Sequence, residues 1–425
     1  MRQFARFKEK HPDCILFFRM GDFYETFYED AKVCAKVCGL ALTSRNKGAN
    51  PIPLAGVPYH AVDGYLKKML QAGYRVAVCE QVEDPKTAKG VVKRDVVRIV
   101  TPGTLTDDML LDAKQDNFLC AVNLGAKGKA AIGWVDISTG HFFVERISEK
   151  KLLDELLRLS PSECLLADRR GELFEAEMRR LATDIGQLTN AVVTERPAWY
   201  FDLYQAKQRL LKHFGTATLE GFGIADGDED LIPASGAIIE YLNETQKTTL
   251  GHIQSLKKVS RYKFLQIDTS SLRSLEILRT IRAETSKGSL LDCLDETMTG
   301  MGARMFRNWL CMPLCELGAI EARQDAIAQL KDADAGLSDI RKLLSAIADT
   351  ERIAARVSTF RATPKDLVAL AATLRKIPQL RESLQQFGAA LLRQLTEQCD
   401  SMDELADYLE AAVEPECPST FATAG

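Results

Sequence analysis

Hydrophobic residues in the first hundred positions switch between strand-like runs and helical spacing. The apolar runs that predict strands lie at 15–20, 40–43, 74–80 and 95–101. The segments with helical spacing lie at 23–38 and 61–71. Gly39 directly follows the first helical segment, where glycine commonly ends a helix, and a polar loop rich in Gly and Pro follows at 44–53. This alternation predicts an α/β domain that ends near Pro102-Gly103.

The next part of the chain has a different order of elements. Three consecutive short strands are predicted at 118–123, 130–137 and 141–144, with turns between them. Helical and strand-like segments then alternate at 151–159, 163–166 and 173–181. Three strands followed by alternating elements predict a second α/β domain, and this layout is that of a ribonuclease-H-like fold.

Beyond Leu250 the sequence carries almost no strand pattern. Amphipathic helical patterns lie at 270–283, 302–311, 320–330, 338–359, 364–376 and 379–412. Thr363-Pro364 marks a helix start, because proline is favoured in the first helical turn. The predicted fold class is therefore multidomain, with α/β regions followed by an all-α region. Because residues 415–425 supply no closing element for this helical array, we expect the natural protein to continue beyond them.

Composition narrows the class of protein without identifying it. The 425 residues are 46% hydrophobic and 27% charged, which is ordinary for a globular protein. No apolar run approaches the length of a membrane span, and the charged N-terminus lacks the apolar core of a signal peptide. The eleven cysteines form no C-x-x-C motif, so we expect reduced core residues rather than a metal site. These features predict a cytoplasmic protein with no membrane partner.

Charge is distributed unevenly along the chain. The net charge of −4 argues against a nucleic-acid partner. However, residues 1–100 carry 17 Lys and Arg against 11 Asp and Glu, whereas the other 325 residues carry 38 against 48. The basic residues of the first part include Arg45, Lys47, Lys67, Lys68, Arg75, Lys86, Lys89, Lys93, Arg94 and Arg98. A net +6 in this part predicts a surface that follows a nucleic-acid backbone.

The sequence shows no convincing catalytic constellation. The phosphate-binding motif G-x-x-x-x-G-K-S/T is absent from these residues, and so are G-x-S-x-G, H-E-x-x-H and G-x-G-x-x-G. We therefore predict no cofactor and no enzymatic activity for this chain. The alternative is a metal-dependent nuclease centred on Asp136, at the end of the second strand of the ribonuclease-H-like layout. Two-metal cleavage needs several converging carboxylates, and only Glu145 flanks the neighbouring strands, so a turn-capping role is favoured.

The most informative segment is the sequence FFRMGDFYETF at 17–27. The apolar strand is predicted to end before Gly21, which allows a sharp turn. Phe23 at the edge of a basic domain would act as a wedge that stacks on a base, most easily where base pairing is already defective. Glu25 would then accept a hydrogen bond from that base. The alternative is a structural scaffold, in which Phe23 is a core residue of a helix and Asp22 and Glu25 form its capping box.

Several motifs occur in the same order and at the same spacing as in one known family. They are FFRMGDFYETFYEDA, LTSR, PIPLAGVPYHAVDGYLKKML, VAVCEQVEDP, VVRIVTPGT, GWVDISTGHF and LLDCLDETMTGMGARMFRNWLCMPL. With these motifs the chain resembles the N-terminal half of the MutS family of bacterial DNA mismatch repair proteins. The resemblance implies a mismatch-recognition domain at 1–103, a ribonuclease-H-like connector at 104–245 and an incomplete helical core or lever domain at 246–425.

The resemblance also assigns roles to individual residues. It implies that Phe23 stacks on the mispaired or unpaired base in kinked duplex DNA and that Glu25 hydrogen-bonds this base. The other residues expected to contact the DNA backbone or to support the wedge are Arg45, Met20, Leu54, Lys67 and Lys68.

The resemblance implies partners that this sequence alone does not encode. Family members continue into further lever helices, a DNA clamp and an ATPase domain that binds ATP and Mg²⁺ and forms much of a homodimer interface. The implied binding partner is double-stranded DNA with mismatches or small insertion/deletion loops. The implied location of the protein is the bacterial cytoplasm, in association with the nucleoid. A MutL-type partner is implied on the connector. For this chain alone we expect weak, salt-sensitive DNA binding, because backbone contacts dominate affinity.

Overall fold

The computed structural model describes residues 1–46, 50–83, 92–171 and 175–418, which form two compact units. The first unit comprises Met1–Leu111 and Asn117–Lys258. The second unit comprises Asp112–Asp116 and the chain from Val259 onward. None of the helices in these described ranges has both the length and the apolar character needed to cross a membrane.

The first unit begins with a six-stranded sheet. Its strands are β1 Cys14–Met20, β2 Phe23–Phe27, β3 Thr43–Ser44, β4 Pro53–Pro58, β5 Arg75–Gln81 and β6 Arg94–Val100. Their order in the sheet is β3-β4-β2-β1-β5-β6, and neighbouring strands are antiparallel except for the parallel pair β1 and β5. The helices that accompany this sheet are α1 Arg2–Lys10, α2 Tyr28–Cys38 and α3 Val62–Gln71.

Successive side chains of β2 enter two different cores, because strand residues alternate between the faces of a sheet. Tyr24 packs with Val57 and Leu66 on the face covered by α2 and α3. Phe27 lies on the opposite face, where its ring centroid is 5.0 Å from that of Phe4 in α1. The first sheet is therefore the middle layer of three, with helices on both faces.

The predicted helix at 23–38 is wrong over its first five residues. Phe23–Phe27 forms β2, and α2 begins only at Tyr28 and ends before Gly39, as predicted. The segment is paired on one side with β1 and on the other with β4, so pairing within the sheet outweighs the helical spacing of its apolar residues. The predicted capping box of Asp22 and Glu25 is wrong for the same reason.

Two short strands of this sheet, β3 and β4, differ from the prediction. Only Thr43 of the strand predicted at 40–43 lies in a strand, the two-residue β3, and β4 was not predicted. β4 begins and ends with a proline, and proline within a segment normally argues against a strand. The strands predicted at 15–20, 74–80 and 95–101 and the helix at 61–71 are confirmed.

A second six-stranded sheet completes the first unit. Its strands are β7 Phe118–Leu124, β8 Lys129–Asp136, β9 His141–Ser148, β10 Glu163–Asp168, β11 Val192–Pro197 and β12 Leu256–Lys258. Their order is β11-β10-β7-β8-β9-β12, in which β7, β8 and β9 form the predicted antiparallel meander and the remaining pairs are parallel. The helices of this part are α4 Leu152–Leu159, α5 Glu175–Thr189, α6 Leu203–Phe214 and α7 Ile232–Gln246.

Glu163 lies where the first sheet meets the second, and its carboxylate is fully buried. The Thr101 hydroxyl and the Gly103 amide, which follow β6, donate to one carboxylate oxygen, the amide at 3.0 Å. The hydroxyls of Thr194 and Tyr241 donate to the other oxygen, Thr194 at 2.7 Å. A Cβ on Gly103 would lie only 2.8 Å from the Cβ of Glu163, so this approach requires glycine.

Two arginines flank Tyr241 at the same junction. The guanidinium carbons of Arg75 and Arg196 lie 5.5 Å and 5.0 Å from the centre of the Tyr241 ring. Arg75 also donates to Asp13, and the Glu244 carboxylate lies 3.9 Å from Arg75 and 3.7 Å from Arg196. Buried charges of this kind need paired opposite charges, and these carboxylates supply them.

The second unit is helical in its described residues, apart from an isolated bridge between Phe264 and Leu314. Its helices are α8 Thr269–Ser274, α9 Leu290–Leu294, α10 Gly300–Cys311, α11 Leu317–Asp332, α12 Asp334–Ser345, α13 Thr350–Ser358, α14 Pro364–Leu374, α15 Ile377–Gln385, α16 Ala390–Gln398 and α17 Asp403–Ala412. The all-α region predicted beyond Leu250 is therefore confirmed from Val259 onward, but Leu256–Lys258 forms β12, which was not predicted.

Long helical patterns in this unit are divided into shorter helices. The predicted helix at 270–283 ends at Ser274, the one at 338–359 is two helices, and the one at 379–412 is three. Asp349 caps the start of α13 by accepting from the amide of Arg352, which separates α13 from α12. The predicted start at Thr363-Pro364 is confirmed, and Thr363 forms a capping box with Asp366.

An ion-pair cluster around Arg304 connects α10 with α13. The buried guanidinium donates to both carboxylate oxygens of Asp349, at 2.6 and 3.0 Å, and to Glu351 at 2.7 Å. It also donates to the carbonyl of Ala113 at 3.0 Å, which ties the short segment Asp112–Asp116 to the helices. Removing one partner of such a cluster leaves buried charge uncompensated.

We expect Glu163→Leu to destabilise the first unit strongly. Each buried donor that loses its acceptor costs about 1–3 kcal/mol, and four donors converge on this carboxylate, so the free energy of unfolding should fall by more than about 3 kcal/mol. Urea unfolding followed by tryptophan fluorescence measures the loss. The matched control is Glu195→Leu, at an exposed site on β11, which should change the stability by less than about 0.5 kcal/mol.

We expect the second unit to lose stability in acid. Burial is the largest single effect on the pKa of the Asp349 carboxyl and raises it, but the hydrogen bonds and positive charges of Arg304 and Arg352 together lower the pKa below its usual value. Arg356 and Thr363 lower the pKa of Asp366 against the same effect of burial. A carboxyl whose pKa is lower in the folded state stabilises the fold above its unfolded value of about 4, and this contribution is lost as the pH falls through the folded-state pKa.

Circular dichroism during an acid titration measures this loss. Arg304→Met should unfold at a higher pH than the unchanged protein and should cost about 3 kcal/mol at neutral pH, since it leaves a buried carboxylate without its partner. Arg307→Met on the same helix is the control. Equal effects of the two substitutions would contradict the role given to the Arg304 cluster.

Candidate nucleic-acid interface

The β1–β2 connection is a hairpin turn of two residues, Gly21 and Asp22. Met20 pairs with Phe23 across the turn, and Gly21 has a φ of +61° whereas Asp22 keeps a negative φ. Glycine at the first of two turn residues is the pattern of a type II′ hairpin, which matches the natural twist of its strands. The turn therefore places Phe23 directly at the end of the paired strands.

Phe23 and Phe27 lie on the same face of β2 but differ in exposure. Phe27 is 1% exposed beneath α1, whereas Phe23 is 48% exposed. A methyl group at Gly56 would lie 3.5 Å from Cδ1 of Phe23, so the Phe23 ring lies beside this glycine. The scaffold alternative required a buried Phe23 in a helix, and the structure contradicts it.

Glu25 follows on the same face, two residues along the strand from Phe23. Its side chain is half-buried, and burial raises the pKa of its carboxyl, an effect that nearby Arg45 and Arg94 oppose. The carboxylate form accepts hydrogen bonds, and the protonated form can also donate one. The pair of Phe23 and Glu25 thus combines an exposed aromatic ring with a half-buried carboxyl group whose pKa is raised.

The predicted supporting residues Met20, Leu54 and Arg45 lie near this pair. Met20 and Leu54 are partly buried against the cluster that contains Phe27. Arg45 is exposed, and its Nη1 lies 3.8 Å from the Met20 sulfur, while its backbone amide donates to Ile52 at 3.1 Å. The structure therefore brings these three residues together with Phe23 and Glu25.

Lys67 and Lys68 lie elsewhere. Both are exposed on α3, which packs on the face of the sheet opposite to that of Phe23 and Glu25. The Lys68 ammonium donates to the Cys38 carbonyl at 3.3 Å, at the C-terminus of α2, where a positive charge is favourable. The two lysines do not belong to the cluster around Phe23.

Asp136 caps the turn after β8. It accepts from the amide and hydroxyl of Ser138, at 2.8 and 2.6 Å, and from the amide of Asn117 at 2.9 Å. These contacts confirm the turn-capping role predicted for this buried aspartate. Within 1–46, 50–83, 92–171 and 175–418, no three His, Cys, Asp or Glu residues are grouped as metal ligands.

Models of three consecutive MutS domains match the chain. The model of MutS domain I matches residues 1–109, that of domain II matches 117–254 and that of domain III matches 270–424. The chain belongs to the MutS family. The exposed Phe23, Glu25 and the turn that presents them all fall within domain I.

Curated relatives agree over the whole chain. The DNA mismatch repair protein MutS of Chlorobaculum parvum is 40% identical over 429 residues, which span 100% of this chain and 48% of the relative. The MutS protein of Syntrophomonas wolfei is 41% identical, with 98% and 48% covered, and that of Lachnoclostridium phytofermentans is 39% identical, with 98% and 44% covered. The chain thus spans about half the length of the curated relatives it matches.

Two basic residues of domain I in this MutS-family chain, Arg75 and Arg98, are engaged in contacts within the protein. Arg75 was predicted to line the basic surface and is instead buried against Tyr241. Arg98 is half-buried and pairs with Asp107 at 2.9 Å. The predicted residues that lie outside the described part of the chain are Lys47, Lys86 and Lys89. The predicted basic surface is therefore smaller than the net charge of +6 suggested.

Arg19 and Tyr59, which were not predicted as site residues, lie beside the turn. Tyr59 is 48% exposed, and the guanidinium carbon of Arg19 lies 3.6 Å from the centre of its ring. Arg19 is a charged residue in an otherwise apolar strand, and this pattern could have marked it for attention. No spacing in the sequence connects it with Tyr59, which follows β4.

We expect Phe23→Ala and Phe27→Ala to differ sharply in stability although both remove a phenyl ring from one face of β2. Phe27→Ala should cost about 3–5 kcal/mol, because it opens a cavity beneath α1. Phe23→Ala should cost less than about 1 kcal/mol, because the ring is largely exposed. Urea unfolding of the two variants tests the difference, and similar losses would show that Phe23 is a core residue.

Proposed function

We propose that this chain binds double-stranded DNA at mispaired bases or small insertion/deletion loops, as the mismatch-recognition part of a MutS-family protein. The observation that carries the proposal is the exposed Phe23 ring at a hairpin turn, with Glu25 on the same face two residues away. An exposed aromatic ring on a well-ordered turn is suited to entering a base step, and the half-buried carboxyl beside it is suited to hydrogen-bonding a base.

Phe23 is the wedge in this mechanism. Its ring stacks on the mispaired or unpaired base from the minor groove while the duplex kinks. Separating stacked bases costs free energy, and the cost is smallest where pairing is already defective. Selectivity therefore follows from the difference in cost between a mismatch and a regular base pair, so the protein needs no contact that is specific for one sequence.

Glu25 hydrogen-bonds the displaced base. As a carboxylate it accepts a hydrogen bond from a base N–H, and once protonated it donates one to a base acceptor. Its pKa is already raised by burial, and DNA phosphates would raise it further, because a negative surrounding disfavours the ionised form. Both changes favour the neutral carboxyl next to a polyanion.

Some of the proposed supporting residues lie close to Phe23, and others lie on the opposite side of the sheet. Arg45 lies close enough to Glu25 to oppose the rise in its pKa, and in this mechanism it contacts the DNA backbone near the mismatch. Met20 and Leu54 support the wedge by packing. Lys67 and Lys68 project from the opposite side of the sheet, so they would contact backbone phosphates away from the mismatch.

We propose the domain limits 1–103, 104–245 and 246–425, with a ribonuclease-H-like connector in the middle. The strand order β9-β8-β7-β10-β11 supports this connector fold. In it, the antiparallel meander of β7, β8 and β9 is extended next to β7 by two parallel strands, β10 and β11. We assign the implied MutL-type partner to the connector. In the complete protein, mismatch binding would be coupled to homodimerisation and to ATP and Mg²⁺ at an ATPase domain, in the bacterial cytoplasm.

We expect Phe23→Ala to abolish the preference for mismatched DNA. Fluorescence titrations at low salt would compare G·T-mismatched, single-base-bulge and fully paired duplexes. Stacking on one base contributes about 1–3 kcal/mol, so the mismatch affinity should fall about tenfold or more while binding to paired DNA stays nearly unchanged. Tyr204→Ala, which removes another highly exposed aromatic ring, is the control. Full discrimination by Phe23→Ala would rule out the wedge.

A further inference from the structure

Both carbonyl groups of the β1–β2 turn are held by residues outside the turn. The Arg19 Nε atom donates to the carbonyl of Gly21. The backbone amide of Tyr59 donates to the carbonyl of Asp22 at 2.9 Å. A two-residue turn at the end of a hairpin has few contacts of its own, so these two bonds decide how firmly it is held.

Arg19 is itself fixed from several directions. Its guanidinium carbon lies 3.6 Å from the centre of the Tyr59 ring and 5.4 Å from that of Tyr24. Its backbone carbonyl accepts from Nε of Arg94 at 2.7 Å. A planar guanidinium can stack on an aromatic face while donating in its own plane, and an ammonium group cannot. The geometry therefore depends on arginine in particular.

The stack of Arg19 on Tyr59 lies on the sheet face opposite to Phe23. Arg19 pairs with Tyr24 across β1 and β2, and Tyr24 alternates with Phe23 along the strand. The Tyr24 hydroxyl donates to Glu80 on β5, which anchors this ring to the next strand but one. Arg19 and Tyr59 thus lie on one face of the sheet, and the turn that Arg19 contacts leads directly to Phe23 on the other face.

We propose that Arg19 is a positioning residue, which fixes the angle at which the turn presents Phe23. Arg19 ties the Gly21 carbonyl to the Tyr59 and Tyr24 rings, so the turn is ordered before any ligand is bound. Ordering a flexible group during binding weakens affinity, and a group ordered beforehand avoids this cost. The inference rests on the proposed function, in which Phe23 enters a base step.

The structure separates this role from simple charge attraction. A lysine at position 19 keeps the positive charge that attracts phosphate, but it loses the Nε donor and the planar stack. Arg19→Lys should therefore leave binding to paired DNA and its salt dependence unchanged. Its affinity for a G·T mismatch should fall about tenfold, which is the loss expected when one hydrogen bond and one cation–π contact are removed.

The control variants lie at Tyr59. Tyr59→Phe keeps the ring and should bind mismatched DNA like the unchanged protein. Tyr59→Ala removes the stack and should lose mismatch preference as Arg19→Lys does. If Arg19→Lys keeps the full mismatch preference, the positioning role is wrong. If Arg19→Met weakens binding to every duplex equally and reduces the salt slope by about one, Arg19 is a phosphate contact and the proposal is overturned.

Hydrogen exchange tests the inference without DNA. In Arg19→Lys, the amides of 21–24 should exchange at least several-fold faster, whereas those of α3 should be unchanged. Unchanged exchange in the turn overturns the positioning role whatever the DNA titrations show. Conversely, if Phe23→Ala keeps its mismatch preference while Arg19→Lys loosens the turn, the wedge function fails and the structural role of Arg19 stands. The two failures are therefore distinguishable.

Discussion

The pairing of β2 with a strand on each side is the constraint on which the candidate interface depends. β4 pairs with all five residues of this short strand and β1 pairs with its first three, so its side chains alternate between the two faces. Phe27 fixes which face is which, because its ring is buried against Phe4. Phe23 and Glu25 lie on the same face as Phe27, but Phe23 is exposed and Glu25 is only half-buried. Their position is a consequence of sheet register and does not require any contact of their own.

Charge in the first unit is divided between structure and surface. Arg75 and Arg196 are committed to the junction with Tyr241, where the partly exposed carboxylates of Asp13 and Glu244 lie near them. Arg45, in contrast, is exposed near Glu25 and opposes the rise in its pKa, whereas Arg94 has both roles, because it also donates to the Arg19 carbonyl. The net charge of the sequence does not distinguish the arginines at the Tyr241 junction from those near Glu25. Only the structure shows which positive charges stabilise the fold and which remain close to the exposed ring.

The elements that were predictable from the sequence are those whose own pattern decides their structure. The apolar run of β1, the amphipathic α3 and the capped start at Thr363 are of this kind. β2 was predicted as helix because the strands that pair with it lie in other segments of the sequence. Phe23 and Phe27 are four residues apart, which places them on one face of a helix and equally on one face of a strand, so their spacing does not distinguish the two. The site residues were named through the family resemblance, but the contact of Arg19 with Tyr59 joins positions 40 residues apart, and no local pattern encodes it.

The buried carboxylate of Glu163 also has a mechanical consequence. Two of its four hydrogen bonds come from the residues that follow β6, one comes from β11 and one from Tyr241 in α7. The Tyr241 ring is flanked by Arg75 of the first sheet and Arg196 of the second. Each of these hydrogen bonds is costly to break, because a buried donor or acceptor that loses its partner is not compensated by water. Rotating the first sheet against the second would have to break these bonds, so we expect the two sheets to move together when a load acts on the Gly21 turn.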